Sequence, residues 1–236
     1  MNFLANCLTL LSLLCGFISV IFSLETHFTF ASWAIILAVI FDGMDGQIAR
    51  RNPIPSEFGK ELDSLVDVVS FGIAPAILGY IFIYRDFYPW ASLALFIYLT
   101  CSVMRLAKYN IIPKEKMVNY FYGLPTTVSG GLLASFILIY RKGKDISPLP
   151  QSIPLVFLII VIVLSFLMVS RARYLNLDGL RQLLGKKTKL VVFLLIILLI
   201  LATFLKKAGV TLFTLFLIYL LFSPFVVKRL NSTQPR

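Results

Sequence analysis

The chain has 236 residues, 59% of them hydrophobic and only 14% charged, with a formal net charge of +11. A soluble domain averages roughly 45–50% apolar and about 25% charged residues; the excess here falls into runs of about 17–25 apolar residues, the length that crosses a bilayer core. Such runs leave no segment long enough for a separate soluble domain, and in a membrane protein the positive charge reads as topology rather than as affinity for nucleic acid.

Eight spans are expected, in one membrane domain covering 1–236, as an all-α bundle of transmembrane helices. The first, about 3–24, has no basic leader and no small-residue cleavage site, so a removable signal peptide is not expected. The second, about 28–50, is separated from the third, about 57–84, by "NPIPSE", whose two prolines and Asn fit a tight turn between antiparallel helices. The fourth covers about 87–109, and the fifth, about 123–140, starts at "GLPTT". The last three cover about 151–171, 189–205 and 208–227. The stretch Arg171–Lys189 carries leucines at helical spacing between cations, as in an interfacial helix on anionic headgroups or a solvated basic loop. Of the 22 Lys and Arg residues, only Arg85, Arg141, Lys142, Lys144, Lys206 and Lys207 fall on the side away from the termini. That bias places both termini in the cytoplasm, and the cell membrane is the expected location.

Cys7, Cys15 and Cys101 all lie in apolar runs without a CxxC pair, and His27 is the only histidine, so neither a disulfide framework nor a zinc site is indicated. The informative stretch is "FDGMDGQIARRNPIPSEFGKELDSLVDVV", Phe41 to Val69. Asp42 and Asp45 are three residues apart near the end of the second span, and Asp63 and Asp67 four apart near the start of the third, so each pair shares a helix face. A short turn makes the helices antiparallel neighbours, and the two pairs can face each other. Four facing carboxylates at a membrane boundary repel one another and are costly to desolvate. One or two hard divalent cations, Mg²⁺, Mn²⁺ or Ca²⁺, would remove both problems, and two ions about 3.5–4 Å apart can share such ligands. The alternative is that individual aspartates cap helix ends or pair with Arg50, Arg51 and Lys60. Glu57 reads as a first-turn acid and Glu61 as a solvated or paired side chain. Gly43, Gly46, Ala49 and Gly59 leave room for a ligand beside the backbone, and Arg50 beside them suits phosphate oxygens, so the surface fits a nucleotide diphosphate. A cation channel or carrier would place its carboxylates near mid-membrane and show repeated halves; here they cluster at one end and no repeat is evident.

The pattern Asp42-x₂-Asp45-Gly46-x₂-Ala49-Arg50-x₈-Gly59-x₃-Asp63-x₃-Asp67 resembles the signature of the CDP-alcohol phosphotransferases, at all eight positions. "DSLVDVVSFGIAPA", "RLAKYN", "FYGLPTT" and "LMVSRARY" look like the phosphatidylserine synthase branch of that family, and the opening "NCLTLLSLLCGF" is similar to the first span of serine-acceptor members. The resemblance covers about 1–174, taken as the catalytic core, with additional C-terminal helices at about 187–230 that carry no recognisable motif.

The resemblance implies transfer of a phosphatidyl group from CDP-diacylglycerol, or CDP-archaeol, to the hydroxyl of L-serine, releasing CMP. Glycerol 3-phosphate or inositol phosphate is the competing acceptor, and would call for extra cations around the pocket. It further implies that Asp42, Asp45, Asp63 and Asp67 ligate Mg²⁺ or Mn²⁺, two ions per site, that Asp67 is also the general base, and that the protein is a homodimer. Gly46, Ala49 and Arg50 would hold the CDP moiety, with Gly59 allowing close approach. Asn6 and Thr9 either reach the nucleotide or make helix–helix hydrogen bonds. Serine's carboxylate needs a cation, for which Arg105, Arg171 and Arg173 lie near span ends; Lys108, Tyr109 and Asn110 are weaker candidates. Ser70 could bind substrate or its own helix.

Overall fold

The computed structural model describes residues 3–51, 57–87, 89–111, 120–140, 150, 152–176, 179 and 207–233. Among these lie helices α1 (Phe3–Leu24), α2 (Phe28–Arg51), α3 (Glu57–Asp67), α4 (Ala74–Phe87), α5 (Trp90–Ile111), α6 (Thr126–Tyr140), α7 (Ser152–Val169) and α8 (Ala208–Thr233). A π-helical segment, Val68–Ile73, joins α3 to α4 into one rod. Two short strands, β1 (Tyr120–Tyr122) and β2 (Arg173–Leu175), pair antiparallel. Six helices, counting the α3–α4 rod as one, are long and apolar enough to cross a membrane, and α6 is a shorter apolar helix. The expected seventh span, 189–205, lies outside the described residues. The chain is an all-α multi-pass membrane bundle.

The packing is inverted relative to a soluble protein. The buried face of α1 is Ala5, Thr9, Ser12, Gly16, Ser19 and Ser23, while Phe3 and Phe17 face outward at 73% and 57% exposure. Lipid takes the large apolar side chains without cost, so helix contacts go to small residues whose backbones approach closely. Ser12 Oγ donates to the Ala38 carbonyl at 3.2 Å and Ser19 Oγ to Ala31 at 2.9 Å, locking α1 onto α2. The α1–α2 turn closes with His27 N donating to Phe22 O at 2.8 Å and with Thr26 at φ 62°, the left-handed helix-ending geometry usually given to glycine. At Gly16 the approach is closer still: an added Cβ would lie 2.8 Å from Ser70 Cα in the π segment.

The apolar core gathers Phe28, Phe82, Phe136 and Phe157, with ring centroids 5.1 to 6.3 Å apart. Phe28 opens α2, so this core sits at the end of the bundle opposite Asp42 and Asp45. The π segment follows Asp67 directly. Tyr98 on α5 donates to the Phe71 carbonyl within it at 2.9 Å, anchoring a stretch whose ladder has slipped by one residue.

Two expectations are corrected. The fifth span begins at Thr126 rather than near 123, because Gly123 adopts φ +77° and donates its N–H to Ala172 O at 2.8 Å. An added Cβ at Gly123 would meet Met168 O at 2.1 Å, so only glycine fits there. The proposed interfacial helix does not begin at Arg171: Arg173–Leu175 is strand β2. Its remainder lies almost wholly outside the described residues.

Candidate active site

One end of the bundle holds a cavity of about 360 Å³. It forms where the end of α2, the start of α3, the end of α5 and the start of α6 meet, closed by the β1–β2 ribbon and one residue of α8. Helical periodicity aims the acidic side. Asp42, Asp45 and Gly46 project from α2, and Lys60, Asp63, Ser64 and Asp67 from α3, all into this space.

Asp42, Asp63 and Asp67 each bring a carboxylate oxygen within 4.8 Å of the others. Asp67 Oδ1 is buried without a hydrogen-bond partner. Three hard oxygen donors with one oxygen lacking a partner fit a divalent cation of the Mg²⁺ class. Asp45, also lining the cavity, stands outside this trio at 4% exposure. Its Oδ2 is 2.7 Å from Thr9 Oγ1, whose single proton is shared with the Ala5 carbonyl at 3.0 Å. Beside the aspartates, Gly43 leaves open space: an added Cβ meets nothing within 4 Å.

Arg105, 8% exposed, lines the same cavity. Its Nη1 donates to Thr126 Oγ1 at 3.1 Å, its guanidinium carbon lies 5.6 Å from the Tyr109 ring centre, and its Nε is buried with no partner. The cation therefore sits in a rigid frame with part of its fork available to a ligand.

The other sequence-derived candidates scatter. Gly46 lines the cavity; Ala49 is exposed on α2, and Gly59 and Asn6 are half-buried outside the lining. Arg50 belongs to α2, but its side chain lies outside the described residues. Thr9 is a helix–helix contact that holds Asp45. Ser70 is not in the lining; fully buried, its hydroxyl donates to the Ser12 carbonyl at 3.0 Å, because the π segment presses it against α1 at Gly16. Arg171 and Arg173 are exposed and do not line the cavity. Arg173 instead lies over Tyr120 at 4.9 Å and Tyr122 at 5.8 Å, its register partner side of the ribbon.

Lys60, offered by the sequence only as a partner for the aspartates, and Tyr109 and Asn110, two of its weaker acceptor candidates, also line the cavity. Lys60 Nζ donates to the Asn110 carbonyl at 2.8 Å, and Asn110 Nδ2 to Ser64 Oγ at 2.9 Å, tying α3 to the end of α5. Lys60 shares the face of Asp63 and Asp67, so the same periodicity could have found it. Thr126 lay within the quoted "FYGLPTT" but was not singled out, whereas Asn176 and Tyr219 gave no local signal and lie beyond the expected core of about 1–174.

Comparison with known proteins agrees with this geometry. Residues 2–153 match the family model for CDP-alcohol phosphatidyltransferases. A CDP-diacylglycerol–serine O-phosphatidyltransferase of Helicobacter pylori is 30% identical over 171 residues, 72% of this chain and 71% of the relative. One from Methanocaldococcus jannaschii is 31% identical over 173 residues, 72% of this chain and 73% of the relative. An archaetidylserine synthase of Methanothermobacter thermautotrophicus is 33% identical over 178 residues, 75% of this chain and 71% of the relative. The matched segment contains every aspartate of the cavity and Arg105, and the chain belongs to the CDP-alcohol phosphatidyltransferase family.

Proposed function

We propose that the protein transfers the phosphatidyl group of a CDP-linked lipid, with ester or ether chains, to the hydroxyl of L-serine and releases CMP. The observation that carries this reading is the convergence of Asp42, Asp63 and Asp67 with one framed arginine, Arg105, in a single cavity at a helix-end boundary. The relatives named for serine transfer support the acceptor.

Asp67 accepts the proton of the serine hydroxyl as its oxygen bonds to the lipid-bearing phosphorus, and the bond from that phosphorus to the oxygen shared with CMP breaks. Its unpartnered Oδ1 suits both this role and metal ligation. Asp42, Asp45, Asp63 and Asp67 would hold Mg²⁺ or Mn²⁺, two ions per site, and the cations supply charge neutralisation on the diphosphate. Gly46, Ala49 and Arg50, with Gly59 nearby, receive the CMP moiety; the open space beside Gly43 supports this reading. Arg105 takes the serine carboxylate. Among the described side chains the lining holds two cations, and Lys60 is committed to the Asn110 carbonyl; a phosphorylated acceptor would want more positive charge than Arg105 alone provides. The protein acts as one membrane domain, as a homodimer in the cell membrane, with the site and both termini facing the cytoplasm, as the Lys and Arg bias indicates.

The test is CMP release by the purified protein from CDP-diacylglycerol across a panel of alcohols, with and without Mg²⁺ or Mn²⁺. Serine-dependent, cation-dependent release is expected. Release with glycerol 3-phosphate but not with serine would sink the acceptor assignment, and cation-independent release the metal assignment.

A further inference from the structure

Part of the cavity lining is made by Leu175, Asn176 and Tyr219, all beyond the segment matched by the family model, 2–153. The β1–β2 ribbon explains how so distant a helix is recruited. Gly123 N donates to Ala172 O at 2.8 Å, so Gly123 and Ala172 form a hydrogen-bonded pair of the antiparallel ladder. Phe121 and Tyr174, two positions on, form the next. Leu175, opposite Tyr120, therefore falls in a pair that exchanges no backbone bonds, and its N–H and C=O point out of the ribbon.

Buried at 8% exposure, those two groups need partners. Helix α8 supplies both. Tyr219 Oη donates to Leu175 O at 2.7 Å, and Leu175 N donates to Ser223 Oγ. Tyr219 and Ser223 are four residues apart, on one face of the helix. Helix α8 thus replaces a missing third strand at this edge. The Tyr219 ring also stacks on Tyr174, with centroids 6.2 Å apart.

The helix itself is firmly seated. An added Cβ on Gly131 of α6 would lie 2.4 Å from the Phe216 ring, and one on Gly209 3.1 Å from the Ile139 nitrogen, so α6 and α8 touch at glycines on both sides of the contact.

We infer that α8 is part of the acceptor site: by gripping both backbone groups of Leu175, Tyr219 and Ser223 fix the wall that, with Arg105, Thr126 and Asn176, sets the size and position of the pocket for a small hydroxyl acceptor. This rests on the placement of the acceptor at Arg105 proposed above. Tyr219 and Ser223 are positioning residues. The aspartates and the nucleotide surface do not depend on them, so their loss shifts acceptor binding and leaves donor binding in place.

The experiment measures KM for serine and for CDP-diacylglycerol on full-length protein in lipid nanodiscs, for Tyr219→Phe, Ser223→Ala and Ser223→Thr. Loss of one neutral hydrogen bond raises the acceptor KM about three- to tenfold, with the donor KM within about twofold. Ser223→Thr keeps the oxygen and returns the acceptor KM towards wild type. An unchanged acceptor KM in folded Tyr219→Phe and Ser223→Ala overturns the inference. So does an equal rise in both constants, which marks α8 as scaffold alone. If one variant fails to fold, the other decides. If the wild type uses a different alcohol, the serine assignment falls, and the same comparison run with that alcohol still tests α8.

Discussion

The acidic wall of the cavity comes from two helices consecutive in the chain, with Asp42 and Asp45 on α2 and Asp63 and Asp67 on α3, whereas the rest of the lining collects Arg105 from α5, Thr126 from α6, Asn176 after β2 and Tyr219 from α8. The first wall needs carboxylates at fixed mutual distances, and helical period within two sequence-adjacent helices aims each pair of them into the cavity. The second needs only a shaped pocket with a placed cation, and tertiary packing can assemble that from any elements that meet. Donor chemistry common to a family can thus stay in a short local motif, while acceptor choice is spread across the chain. If so, damage to the two walls should be kinetically distinguishable.

The largest effect is expected on the acidic wall. Asp63→Asn removes a charge from the trio that lies within 4.8 Å, and turnover should fall about 10³-fold or more, within the range of lost acid–base and metal contributions. Asp67→Asn should fall as far; normal CMP release by that variant would refute the base assignment. A readout independent of turnover is thermal unfolding. A cation that binds the folded wild type raises its melting temperature, and Asp63→Asn should erase most of the shift produced by Mg²⁺ or Mn²⁺.

In the rest of the lining Arg105→Lys should behave differently. Lysine keeps the charge but not the fork that bonds Thr126 while leaving Nε available. Loss of one charge-assisted bond to a carboxylate corresponds to about a 10- to 100-fold rise in acceptor KM. The donor KM and the Mg²⁺-dependent melting shift should stay close to wild type. Equal damage to both substrates would erase the distinction between the walls.

The same contrast decides what could be read in advance. The helix faces of Asp42, Asp45, Asp63 and Asp67 follow from spacing alone, and so do the long apolar spans. Arg105 was legible only as a cation near a span end, a description Arg171 and Arg173 share equally. What separates them is burial: Arg105 is enclosed by Thr126 and Tyr109, while Arg173 lies exposed over Tyr120 and Tyr122. Strand β2 hid inside an amphipathic-looking basic stretch, because its pairing depends on Gly123 some fifty positions earlier. Ser70, three residues after Asp67, would share that aspartate's face on a regular helix. Ser70 instead lies within the π segment that begins at Val68, and Gly16 admits it to the α1 interface.

Thr9 gives the finest test, because it touches the acidic wall without lining the cavity. Thr9→Val keeps the branched shape and packing against α2 but removes the hydroxyl at 2.7 Å from Asp45 Oδ2. Asp45, buried at 4% exposure, then loses a partner worth about 1–2 kcal/mol to a charged acceptor, a factor of about 5–30. If Asp45 ligates a cation, that loss appears as weaker cation dependence: the Mg²⁺ concentration for half-maximal activity rises about fivefold or more, and excess Mg²⁺ restores most of the turnover. The acceptor KM should not move. If Thr9 contacted the nucleotide instead, donor KM would rise and excess Mg²⁺ would not rescue it. The helix–helix bond and the direct substrate contact therefore predict opposite responses to one titration, and the geometry of α1 against α2 favours rescue.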